Sequence, residues 1–107
     1  VLRGEIMSHK SSFKSIKDFL EKNKEQLTKN FGIKNIGIFG SFVKKDANES
    51  SDIDILVEFK DGDETFKNYM GLKFFLEDNF GRKVDLVIAE TLKPMIKEDI
   101  LREVVYV

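Results

Sequence analysis

The chain has 107 residues, with 18 Lys and Arg against 19 Asp and Glu and a formal net charge of −1. That length is expected to hold one modest core in one domain; the absence of Cys excludes disulfide frameworks, thiolate zinc sites and thiol nucleophiles, and a single His, His9, excludes a His-cluster metal site and fits a Ser-His triad poorly. Near-neutral charge gives no support to direct nucleic-acid binding, so any chemistry here is expected to run on carboxylates, hydroxyls and lysines.

In chain order, Val1–Ile6 has neither the apolar stretch nor the cleavage site of a signal peptide, and Met7 offers an alternative start. Residues 1–10 read as an N-terminal extension open to disorder, and residues 11–107 as one domain. Ser11–Lys29 predicts an amphipathic helix, with Phe13, Ile16, Leu20 and Leu27 at helical spacing, Phe19 beside them, and Ser11 or Ser12 as N-cap. Phe31-Gly32 ends it, the Gly offering a left-handed cap. Lys34–Phe39 predicts a short strand broken by Gly40-Ser41; a short helix is expected to start in Phe42–Asp46, and Ala47–Ser51 is a polar loop. Ile53–Phe59 is the clearest strand, rich in β-branched and apolar residues. After a turn at Asp61-Gly62-Asp63, Thr65–Phe80 predicts a second long helix whose two apolar lines (Phe66, Met70, Phe74 and Leu72, Phe75, Leu76) imply burial on more than one side, with Gly81 as its stop. Lys83–Ile88 is a third strand. Thr91 is the expected cap of a last helix, with Pro94 in its first turn and Leu92, Ile96, Ile100 and Val104 as its apolar line. No apolar run approaches membrane-spanning length, so no membrane contact and a cytoplasmic location are expected. The order predicts an α+β fold, a small mixed sheet backed by helices.

Three features carry chemistry: Gly40-Ser41 where a strand ends, Asp52-Ile53-Asp54 where the next begins, and Asp85 within the apolar run Val84–Val87. Alternate residues of a strand share a face, so Asp52 and Asp54 project together while Ile53, Ile55 and Val57 pack. Two carboxylates one strand period apart repel unless a cation neutralises them, and hard oxygen ligands select Mg²⁺ or Mn²⁺. If the third strand neighbours the second, Asp85 completes a three-carboxylate set able to hold two ions about 3.5–4 Å apart, the arrangement for in-line nucleotidyl displacement. A Gly at a strand–helix junction lets backbone N–H groups approach a phosphate, the Ser41 hydroxyl adds a donor, and Lys44 and Lys45 are placed to meet a triphosphate as point charges. Each piece has a plainer reading: Asp52 as a turn cap, Lys44-Lys45 as a solvated face, Asp85 as an edge-strand acid facing water.

Gly40-Ser41-Phe42, the ten residues between Ser41 and Asp52, Asp52-Ile53-Asp54-Ile55-Leu56-Val57 and Lys83-Val84-Asp85-Leu86-Val87 together resemble the minimal nucleotidyltransferases (MNT) of the DNA polymerase β superfamily, small proteins often found as antitoxin partners of HEPN-domain toxins. The stretch from Leu92-Lys93-Pro94 through Tyr106 is similar to that family's tail, and the resemblance spans roughly residues 33–107. It implies a polymerase β-like nucleotidyltransferase fold, with Asp52 and Asp54 on metal ions shared with the triphosphate. Asp85 would be the third carboxylate, helping to deprotonate the attacking hydroxyl, and Gly40 and Ser41 would lie on the β- and γ-phosphates. The implied reaction is Mg²⁺-dependent transfer of AMP from ATP to a HEPN toxin, on a tyrosine hydroxyl, which silences it. In one place the chain departs: where the family usually has a small residue, Arg and Gly, it has Val43, Lys44 and Lys45, which removes the bidentate fork and a glycine.

Two other readings stand beside that one. The protein neutralises its partner by contact with weak or no catalysis, or it modifies a small molecule, for which the chain has no room for an added substrate domain. The apolar tail Val104–Val107 is either a contact surface, for a partner or an oligomer, or an element end packed on its own domain.

Overall fold

The computed structural model describes residues 12–48 and 50–107, so the extension expected over 1–10 lies outside the described residues. The elements run α1 (Phe13–Phe31), β1 (Ile33–Phe39), α2 (Ser41–Lys44), β2 (Ile53–Phe59), α3 (Phe66–Phe80), β3 (Val84–Ile88), a 3₁₀ turn (Ala89–Thr91), α4 (Pro94–Glu103) and β4 (Val105–Tyr106). This is the expected α+β order with one short strand added at the end.

Local chemistry sets most boundaries. Ser12 caps α1 through a reciprocal pair of bonds with Ser15, and Gly32 closes the helix in the left-handed region. Thr65 caps α3 and Gly81 ends it in the same left-handed manner. The last helix departs from expectation. Thr91 lies in the 3₁₀ turn, where its hydroxyl donates to the Ile88 carbonyl, and Lys93 stands at the N-cap of α4 without a side-chain bond. Pro94 at the first helical position, with no N–H to satisfy, still marks the start.

The sheet has the order β3-β2-β1-β4. β1 runs antiparallel to both β2 and β4, while β2 and β3 are parallel and joined by the α3 crossover. One face packs against α1 and α3: Ile36, Ile38, Ile53, Ile55 and Val57 meet Ile16, Leu20, Leu27, Leu72, Leu76 and Phe80. Phe19 stands edge-on to Phe80 with ring centroids 5.1 Å apart. The other face is covered only in part, where Phe39, Leu56 and Ala89 lie under Leu92, Ile100 and Val104.

Two burial expectations are corrected. The Phe66 and Phe74 line of α3 faces solvent, at 79% and 54% exposure, because α1 and the sheet occupy only the Leu72–Leu76–Phe80 side. In α4 no residue is buried and Ile96 is half-exposed; of the predicted apolar line, Leu92, Ile100 and Val104 pack on Phe39, Leu56 and Ala89 while Ile96 does not. The tail packs on its own domain: Val105 and Tyr106 pair with Ile38 and Gly37, and the Val107 N–H donates to the Ile36 carbonyl. Among the described residues, no helix is long and apolar enough to cross a membrane.

Candidate active site

The site lies on the partly covered face of the sheet, at the end where β1 finishes and β2 and β3 begin. Strand register assembles it. Asp54 is opposite Phe39 on one side and Asp85 on the other. Residues opposite one another share a face, so Asp54 and Asp85 stand side by side on the face that Leu56 and Val87 occupy one strand period further on. The parallel pairing of β2 and β3 that the three-carboxylate expectation required is present. Asp52, just before β2, is exposed and adds its charge to Asp54. Asp85 is exposed on the edge strand β3, as its plainer reading had it: the alternation of β3 turns it to solvent while Val84 and Leu86 fill the interior.

Asp54 is the electrostatic centre of this group. Burial pushes its carboxyl up to about 6, the charges of Asp85, Asp52 and, further down, Glu103 add to the rise, and a hydrogen bond from the Ser41 backbone opposes it. Near Asp85, the Tyr69 hydroxyl donates to the Leu86 carbonyl at 2.7 Å, and its phenol is pushed up by burial and by Asp85.

The Gly-Ser junction sits directly over Asp54. Gly40 has φ 78° and ψ −149°, a conformation L side chains avoid, and a β-carbon there would collide with the Asp54 carboxylate. The Gly40 N–H donates to Glu103 Oε2 at 2.6 Å. Both backbone donors of Gly40-Ser41 are thus engaged by carboxylates, Glu103 and Asp54. The Ser41 hydroxyl and the Lys44 ammonium are the other polar side-chain groups of this turn. Lys44 Nζ lies 3.4 Å from Glu103 Oε1, which ties it to the loop. Lys45 is exposed, and the structure does not bring its side chain to the acids.

Lys45 stands in a backbone conformation that suits a glycine. It closes α2 with φ 65° and ψ 27°, a left-handed conformation that costs an L residue about 1–2 kcal/mol. Lys45→Gly relieves that strain against about 0.5–1 kcal/mol of added backbone entropy. It is expected to leave stability equal to the parent or about 1 kcal/mol higher in chemical denaturation; a loss above about 1 kcal/mol would contradict the strain.

Two contributors are invisible to local sequence pattern. Arg82 donates from Nη1 to the Asn48 and Ser51 carbonyls, at 2.9 Å each, and its guanidinium lies over the Phe42 ring, 5.3 Å from the centroid. It clamps the loop that delivers Asp52. Glu103 reaches Gly40 from 63 residues away.

Among the described residues, no three Asp, Glu, His or Cys side chains are gathered tightly enough to hold a metal ion as they stand. The donor chemistry nonetheless suits a hard divalent cation, being all carboxylate oxygen, with mutual repulsion centred on Asp54 that such a charge relieves.

A mixed four-stranded sheet backed by helices is the fold expected of a nucleotidyltransferase from the sequence. The nucleotidyltransferase domain family matches residues 16–107. Over 96 residues the chain is 42% identical to the protein adenylyltransferase MntA of Thermococcus cleftensis, covering 90% of this chain and 96% of that one. It is 44% identical over 93 residues to a Methanocaldococcus jannaschii protein provisionally named a protein adenylyltransferase, covering 86% and 94%. A solved structure provisionally described as a minimal nucleotidyltransferase superposes with a TM-score of 0.76 at 32% identity, covering 88% of this chain and 94% of that one. An MNT antitoxin of Shewanella oneidensis, solved in complex with a tri-AMPylated HEPN toxin, shares the fold at a TM-score of 0.59 and 20% identity, covering 83% and 69%. The chain belongs to the nucleotidyltransferase family, in its minimal form, and is a transferase of that class.

Proposed function

We propose that the protein transfers AMP from ATP to a hydroxyl, most simply a tyrosine, of a HEPN-type toxin, and so acts as its antitoxin. The observation that carries this reading is the register that sets Asp54 beside Asp85 with Gly40-Ser41 folded over them. The names of its relatives support the transfer, and the Shewanella oneidensis complex supports the class of partner.

Asp52, Asp54 and Asp85 would hold two Mg²⁺ ions. When bound, these ions supply the charge that offsets the triphosphate and the leaving pyrophosphate. The Ser41 hydroxyl and Lys44 orient the phosphate tail. Asp85, which is exposed, would take the acceptor hydroxyl's proton. The acceptor oxygen then bonds to the α-phosphorus as the bond from that phosphorus to the bridging oxygen breaks, and pyrophosphate leaves. The acceptor hydroxyl would reach the acids from the open end of the sheet, where Asp52 and Asp85 are exposed.

A second reading, neutralisation by contact with little catalysis, draws on one observation: Lys44 is already paired with Glu103. The two separate in one experiment. Labelled ATP, Mg²⁺ and the product of the adjacent gene are expected to give label on that product, and Asp52→Asn with Asp54→Asn to abolish the label. Label that survives the double change refutes the site. A stable complex without label establishes the contact reading.

A further inference from the structure

Glu103 ends α4 with its side chain three-quarters buried, and its two carboxylate oxygens go to opposite ends of one short loop. Oε2 accepts the Gly40 N–H at 2.6 Å and Oε1 meets Lys44 Nζ at 3.4 Å. Gly40 follows the last residue of β1, past the Gly37 and Ile38 positions that β4 pairs, so its N–H has no ladder partner. Glu103 is itself held from both sides. Ile100 and Val104 pack on Phe39 and Leu56, the Val104 N–H donates to the Ile100 carbonyl, and β4 starts directly afterwards. The carboxylate is therefore a fixed post rather than a free surface acid.

We infer that Glu103 is a positioning residue for nucleotide binding: it pins the Gly40 backbone and the Lys44 ammonium so that the Gly-Ser loop is preformed for the triphosphate. The inference rests on the proposed reading of that loop as the phosphate subsite. Its physical basis is preorganisation, since a loop already held in its bound shape loses less entropy when the ligand arrives. A brace meant only for stability would do better without the charge, because Glu103 adds to the repulsion around Asp54. The charge does something a neutral acceptor does not, which is to hold Lys44.

The test measures binding of a non-hydrolysable ATP analogue with Mg²⁺ by calorimetry, well below the melting temperature, for the parent, Glu103→Gln and Glu103→Ala. Glu103→Ala loses a charge-assisted bond and is expected to weaken binding about tenfold. Glu103→Gln keeps an acceptor for Gly40 but loses the charge that holds Lys44, and is expected to fall between the two, about threefold weaker than the parent. In steady-state transfer the Ala variant should raise KM for ATP more than it lowers kcat. Lys44→Ala should cost affinity in the parent and little in the Glu103→Ala background, since the brace and the lysine act as one unit. Unchanged affinity in Glu103→Ala, or tighter binding because the carboxylate had been occupying the phosphate's place, overturns the inference while leaving the transferase reading intact. A parent protein that does not bind the analogue overturns both.

Discussion

At neutral pH, in chelator, Asp54→Asn is expected to raise the melting temperature of the protein while abolishing AMP transfer. Asp54 has a folded-state pKa of about 6 against an ordinary 3.8, caused first by burial and then by Asp85 and Asp52. A carboxyl whose pKa is raised by folding binds more protons in the native state between those values, so its contribution to stability falls as pH rises from about 4 to about 6 and is lowest above that. The Asn variant, which cannot ionise, escapes that loss and can still accept the Ser41 backbone bond. A fully desolvated group shifted by about two units would account for about 3 kcal/mol. Asp54 is only partly buried, so water screens much of this, and a gain of about 1 kcal/mol, or about 4–8 °C, is the expected size. Thermal melts across pH check the sign: the advantage of the variant should be complete above about pH 6 and absent below about pH 4. A variant less stable than the parent at pH 7 would show that Asp54 is not strained by its neighbours. Adding Mg²⁺ should stabilise the parent and narrow the gap, a readout of metal binding that does not depend on turnover.

The same electrostatics explain which parts of the site a reader of the sequence can see. Asp52, Asp54, Gly40 and Ser41 are legible because their relation is local: a strand alternates its faces, and glycine is the residue that turns a strand sharply into a helix. Asp85 is legible as a residue but not as an environment. Whether β3 would lie inside the sheet or at its edge depends on long-range pairing, and it lies at the edge. Glu103 and Arg82 carry no local signal at all, since their partners are 63 and 31–34 residues distant. Apolar periodicity found α3 correctly and over-read its burial, because Phe66 and Phe74 share the hydrophobicity of Leu72 and Leu76 but meet no facing element. The Thr91 cap failed for a related reason. A Thr near a predicted helix start competes with other local hydrogen bonds, and here the Ile88 carbonyl captures its hydroxyl in a separate 3₁₀ turn. What survives across the fold is what short-range sterics dictate; what shifts is what needs a distant partner.

Gly40→Ala offers the sharpest separation of backbone strain from site geometry, because a second glycine supplies the control. Gly62 has φ 86° and open space where a β-carbon would go, whereas Gly40 has φ 78° and the Asp54 carboxylate in that place, with Asp54 Cγ at 2.8 Å and Cβ at 3.1 Å. Gly62→Ala should therefore cost about 1–2 kcal/mol in stability and leave transfer intact. Gly40→Ala takes a similar strain of about 1–3 kcal/mol and in addition forces either the loop or Asp54 to move. The loop is tied by Glu103 and the strand by its ladder, so neither moves freely. A displacement of about 1 Å at the reacting groups is enough to cost about 100-fold in rate, and a loss of that size in labelled-AMP transfer is expected from protein that remains folded. The cause can be assigned by a double-mutant cycle in stability. In an Asp54→Ala background the colliding carboxylate is gone, so Gly40→Ala should cost less there than in the parent, by the part that the collision adds. If the excess cost persists there, the obstacle is the backbone conformation of Gly40 alone, and the close packing of the Gly-Ser turn on Asp54 is not what makes a glycine necessary at that position.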